Sequence, residues 1–193
     1  MIEISLIFST LYTMIANHKN KTLKKELPKK VQDALIWIIA ILEKYNITYH
    51  ICGGLCARFY GSSRRINDID IDVSEKDFSK IYESTKSYVV SGPELYTDKK
   101  WKVMLMTIKF NNQIIEFANA DNIQLSNVNR SRWITFKYDF NDATTIQWKK
   151  LSLKLMSSKK MIAYKKYLDG DKQKEDIKAI KNYIHRQNKL IKN

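Results

Sequence analysis

The chain has 193 residues and 22.8 kDa with 44% hydrophobic residues, which is enough for one domain with a sizeable core. Five Gly and two Pro exclude collagen-like and low-complexity classes. A formal charge of +14, from 34 Lys+Arg against 20 Asp+Glu, favours polyanionic partners: nucleotides, RNA or other nucleic acid, or an anionic membrane surface.

Residues 1–17 place Ile4, Ile7, Phe8, Leu11, Met14 and Ile15 at helical spacing, the pattern of an amphipathic helix packed on the core. They lack the basic start and small-residue cleavage site of a signal peptide, and no stretch is apolar enough to span a bilayer. A basic link follows to residue 30, so 1–30 reads as an N-terminal helix and linker. A membrane-surface role would have to use this segment. Residues 31–140 form the expected core. Pro28 suits the first turn of a helix reaching about Tyr45, Ile47–Cys52 a buried strand, and Gly53-Gly54 the break before a short helix ending near Gly61. Cys52 and Cys56 form a lone C-x3-C, a poor zinc site and no disulfide framework, and the three histidines are scattered. Reduced thiols and a cytoplasmic location are the expectation.

Asp68–Val73 alternates D-I-D-I-D-V, a strand period. Ser74 then caps a helix to about Lys86, with Asp77 three residues on. VMLMTIKF and QIIEFA read as strands joined by a two-residue turn at Asn111-Asn112, and Ile123–Leu125 and Trp133–Tyr138 as further strands. Residues 141–193 are assigned as a C-terminal helical segment, with helices from Ser157 or Ser158 and a break at Asp169-Gly170-Asp171. The fold class is α+β, a mixed central sheet flanked by helices.

The stretch from Gly53 to Val73 carries the chemistry. On a strand, Asp68, Asp70 and Asp72 share one face, with like charges about 7 Å apart along the backbone. That is unfavourable unless a cation sits among them, and hard oxygen donors suit Mg²⁺. A calcium loop fails because Val73 stands where Gly is needed. Upstream, a strand ending in Gly-Gly and opening into a helix offers backbone N–H groups to a phosphate.

The Gly-Gly turn, the Asp-Ile-Asp strand after the thirteen intervening residues 55–67, and Arg64 four residues before Asp68 together resemble the nucleotidyltransferase superfamily. Arg64 resembles the arginine seen there in its bacterial members, which include small antibiotic-modifying enzymes and abortive-infection toxins. The resemblance implies a nucleotidyltransferase fold and Mg²⁺-dependent transfer of a nucleoside monophosphate from an NTP. Asp68 and Asp70 would hold metal, with Asp70 and Asp72 as the alternative register. Glu116 would be the third carboxylate, with Asp121 as fallback. Gly53, Gly54 and Arg64 would bind the triphosphate. The helical tail MIAYKKYLDGDKQKEDI adds Lys165 for the phosphates and Asp176 as a structural residue. The acceptor stays open. Residues 149–193 carry fourteen Lys/Arg against four Asp/Glu, which favours RNA or another macromolecule in a toxin-like role. An aminoglycoside-like small molecule, or a non-catalytic binding module of the same fold, are the alternatives.

Overall fold

The computed structural model describes residues 26–126, 131–168 and 170–192. The expected N-terminal helix at 1–17 and most of the basic link lie outside the described residues.

Helix α1 (Lys29–Lys44) follows Pro28, which sits at its N-cap position. Its buried residues Val31, Ala34, Leu35, Ile38, Ile39 and Leu42 recur at helical spacing and form one apolar stripe. Each Val, Leu or Ile side chain among them contributes roughly 1.5–3 kcal/mol on burial. The chain continues through β1 (Tyr49–Ile51), α2 (Gly53–Phe59) and β2 (Asp68–Val73), the last spanning the alternating run residue for residue. Where Ser74 was expected to cap an α-helix, the structure has a 3₁₀ turn at Glu75–Asp77 before α3 (Phe78–Thr85). The Ser74 hydroxyl donates instead to Asp121, at 2.8 Å.

Strands β3 (Val89–Thr97), β4 (Trp101–Phe110), β5 (Gln113–Asn119), β6 (Ile123–Ser126) and β7 (Trp133–Phe136) follow. Asn111 and Asn112 join β4 to β5 with φ of 47° and 59°, both in the left-handed region that such tight hairpins require. The expected C-terminal helical segment begins with two strands, β8 (Thr144–Trp148) and β9 (Leu151–Leu155). Only then come α4 (Ser158–Lys165) and α5 (Asp171–Lys192).

The strands form one mixed sheet in the order β7-β6-β4-β5-β2-β1-β9-β8, with β3 paired to β4. β2 runs parallel to β5 and β1 parallel to β9, while β1 and β2 are antiparallel. Helix α1 packs on β2 and β5, whose Ile69, Ile71, Val73, Ile115 and Phe117 are buried. At the rim of this layer Trp37 stacks on Phe110, with centroids 4.2 Å apart, and meets Tyr88 edge-on. With Ile69, Ile71 and Val73 committed to the core, the intervening aspartates are left on the opposite face of β2. No described helix is long and apolar enough to cross a membrane.

Candidate active site

The parallel register of β2 and β5 places Asp68 opposite Ile114, Asp70 opposite Glu116 and Asp72 opposite Ala118. Asp68, Asp70 and Glu116 therefore gather on one patch of the sheet. Burial, then the charges of Asp68 and Glu116, push the Asp70 carboxyl up to about 7, against the opposing pull of the Gly54 amide. Burial and the Asp68 charge raise Glu116 too.

The two glycines make this patch possible. Gly53 has φ +57°, and a Cβ there would lie 1.7 Å from Asp70 Oδ2. At Gly54 a Cβ would lie 2.4 Å from the Arg64 Nη2. Consecutive glycines thus admit a carboxylate and a guanidinium to the same turn, where the Gly54 N–H donates to Asp70 Oδ2 at 3.3 Å.

The other acids of the region have partners of their own. Asp72 is buried and paired with His50, Nε2 to Oδ2 2.7 Å, because the antiparallel β1–β2 register sets the two residues opposite each other. Aromatic rings of Tyr138 and Phe140 flank that imidazole. Asp121 accepts from the Ser74 hydroxyl and from the Glu75 N–H at 3.0 Å, so it ties down the end of β2. Glu116, not Asp121, is the acid placed beside Asp70.

Lys165 is buried and already paired within the protein. Its side chain is 2% exposed, and Nζ pairs with Asp176 at 2.8 Å and with Gln173 at 3.0 Å. Asp176 is fully buried and also accepts from Arg64 Nε and the Ser62 hydroxyl. Cys52 and Cys56 are free and buried, and desolvation raises both thiols.

Beside Asp70 opens a cavity of about 400 Å³. Tyr96, Trp101, Tyr138 and Tyr164 supply aromatic walls, and Asp70, Asp72, Asp98 and Glu116 line it with carboxylates. No Lys or Arg is among its described lining residues. In a chain of +14, the charge at this point is reversed. The buried Tyr138 hydroxyl has no hydrogen-bond partner among the described residues. Neither Asp98 nor the cavity aromatics stand out from sequence spacing; for His50 the readable signal is its place in the strand before Gly-Gly, three positions before Gly53.

Asp68, Asp70 and Glu116 are hard oxygen donors, and the mutual charge that adds to burial in raising Asp70 and Glu116 is what a divalent cation relieves. Among the described residues no group of three His, Cys, Asp or Glu side chains is arranged to hold a metal ion. What suits Asp68, Asp70 and Glu116 to such an ion is their donor chemistry and strand register alone.

No protein-family model and no curated protein sequence matches the chain. Solved structures do. A candidate nucleotidyltransferase from Thermotoga maritima superposes with TM-score 0.63 at 14% identity, over 88% of this chain and 98% of that one. The lincosamide antibiotic adenylyltransferase LnuA, solved with lincomycin, gives TM-score 0.54 at 17% identity, over 82% and 99%. ANT(2")-Ia, solved with adenylyl-2"-tobramycin, gives 0.53 at 12%, over 83% and 94%. With its mixed sheet, flanking helices and these neighbours, the chain has the nucleotidyltransferase fold.

Proposed function

We propose that this chain transfers a nucleoside monophosphate from a nucleoside triphosphate to an acceptor hydroxyl. The observation that carries the reading is the Asp70–Glu116 register, with the Gly54 amide and the Arg64 guanidinium on the other side of Asp70. Nucleotidyl transfer asks mainly for positioning and charge neutralisation. The acceptor oxygen forms its bond to the α-phosphorus as the bond from that phosphorus to the bridging oxygen breaks, and pyrophosphate leaves. Glu116, set beside Asp70 by the strand register, is the carboxylate that takes the hydroxyl proton. Arg64 and the Gly53-Gly54 turn bind the triphosphate. Asp68, Asp70 and Glu116 would hold Mg²⁺, whose charge would offset that of the phosphates.

For the acceptor, the cavity chemistry favours a small hydroxylated molecule carrying positive charge, because aromatic rings and Asp98 line it with no Lys or Arg among the described lining residues. Of its other carboxylates, Asp70 and Glu116 serve the metal and Asp72 pairs with His50. The exposed Lys172, Lys174, Lys178, Lys181 and Arg186 of α5 favour RNA as the second reading, in which the acceptor is held outside the cavity. Incubation with each α-labelled NTP and Mg²⁺, with either a panel of amino sugars or total RNA, separates the two by where the label appears. Asp68→Asn with Asp70→Asn should abolish pyrophosphate release. Full activity in that variant sinks the assignment, and NTP binding without any release identifies a binding module instead.

A further inference from the structure

The cluster under Arg64 contains two cations and one carboxylate. Asp176 is fully buried on α5 and takes Lys165 Nζ at 2.8 Å, the Ser62 hydroxyl at 2.7 Å, and Arg64 Nε at 2.9 and 3.1 Å on its two oxygens. A buried carboxylate with these donors has its acceptor capacity largely filled. Lys165 cancels the charge of Asp176, so Arg64 keeps a net positive field. The Nε end of its guanidinium is held, while Nη2 reaches the Gly54 turn and has no acceptor among the described residues. A guanidinium is planar, so fixing Nε fixes the direction in which the remaining N–H groups point.

We infer that Asp176 is a positioning residue that acts on the nucleotide site through Arg64, with Lys165 as its charge balance, so that the C-terminal helix presets the phosphate-binding guanidinium. This rests on the nucleotidyltransferase reading above. It assigns Lys165 a role without phosphate contact, and gives Asp176 a part in ligand affinity as well as in stability.

The test uses the full chain and equilibrium binding of ATP, GTP, CTP and UTP in turn, with Mg²⁺, by calorimetry. Asp176→Asn alone would strand the buried Lys165 charge, so it is paired with Lys165→Met. The paired variant should melt near the wild type yet bind the preferred nucleotide about tenfold more weakly, the worth of one charge-assisted hydrogen bond. In an Arg64→Lys background the same pair of exchanges should cost no further affinity, because the group they act through is already gone. Unchanged affinity in the paired variant, or a further loss in the Arg64→Lys background, overturns the inference. If the paired variant does not fold, Arg64→Lys alone decides: it keeps the charge but loses the Nε anchor, so about tenfold weaker binding is expected and wild-type affinity overturns the proposal. A wild-type chain that binds none of the four nucleotides removes the nucleotide reading itself, and this inference with it.

Discussion

Replacing Gly53 by alanine separates the role of this turn in stability from its role in the site. The residue has φ +57°, where a Cβ costs about 1–2 kcal/mol. That Cβ would also stand 1.7, 2.4 and 2.9 Å from Oδ2, Cγ and Cβ of Asp70. Ordinary contact begins near 3.4 Å, so Oδ2 would have to withdraw by about 1.7 Å. Because all three atoms are too close, the whole side chain must turn away. It then loses the Gly54 N–H but escapes the charges of Asp68 and Glu116 and part of its desolvation. These effects offset, leaving a net destabilisation of about 1–2 kcal/mol, or a melting shift of roughly 2–8 °C at this chain length. The site fares worse, since a misplacement of about 1 Å typically costs about 10²-fold in rate. Urea unfolding at pH 8 and Mg²⁺-dependent pyrophosphate release measure the two effects. Gly170→Ala is the control: its φ is +100° with nothing within 4 Å of a Cβ, so it should show backbone strain with unaltered activity. Activity within about threefold of wild type in Gly53→Ala would refute the reasoning. So would a stability loss well beyond about 4 kcal/mol, which would mean that Asp70 cannot turn.

Asp176→Ala leaves buried Lys165 without its counter-charge and should cost about 3–5 kcal/mol in urea unfolding; a loss under about 1 kcal/mol would contradict the buried pairing. The Asp70 carboxyl, pushed up to about 7 by burial and then by Asp68 and Glu116, holds its proton across pH 4–7 while the unfolded chain has released it near 4. The native state then binds more protons, so this group's contribution to stability falls as pH rises through that window. With chelator present, wild type and Asp70→Asn should unfold alike near pH 4, with the variant more stable by pH 7; parallel profiles would count against the crowded carboxylates. Tyr138→Phe removes a buried hydroxyl without a described partner, so stability should hold or rise by up to about 1 kcal/mol, while the acceptor KM rises several-fold. A stability loss above about 2 kcal/mol would show that the hydroxyl is already bonded.

Local pattern carried much of the fold. Strand β2 is legible because its apolar and acidic residues alternate without exception, and the Asn111-Asn112 turn because asparagine tolerates the left-handed backbone it needs. Strands β3, β8 and β9 were not legible. Gly92-Pro93 interrupts the run of β3. The β8–β9 hairpin turns on Lys149-Lys150, with Lys149 at φ +52°, so its turn is written in residues that look like a solvated basic face. The same lysines hid the fact that the sheet continues past residue 140.

At the site, the sequence by itself determined a short inventory: an acidic strand face, a Gly-Gly turn at the mouth of a helix, and an arginine between them. Period-two alternation sets which aspartates share a face, but shifting the chosen pair by two residues preserves that face, so the pattern cannot choose between Asp68/Asp70 and Asp70/Asp72. Tertiary structure gives the aspartates different partners, from segments distant in the chain. His50 stands opposite Asp72 on β1, and Glu116 stands opposite Asp70 on β5. Only the packing of α5 against the loop after α2 showed that Lys165 is spent on Asp176. The net +14 was visible from composition, yet the cavity beside Asp70 is acidic. Net charge is a sum over the chain, whereas a binding site feels the few groups that the fold brings within several ångströms.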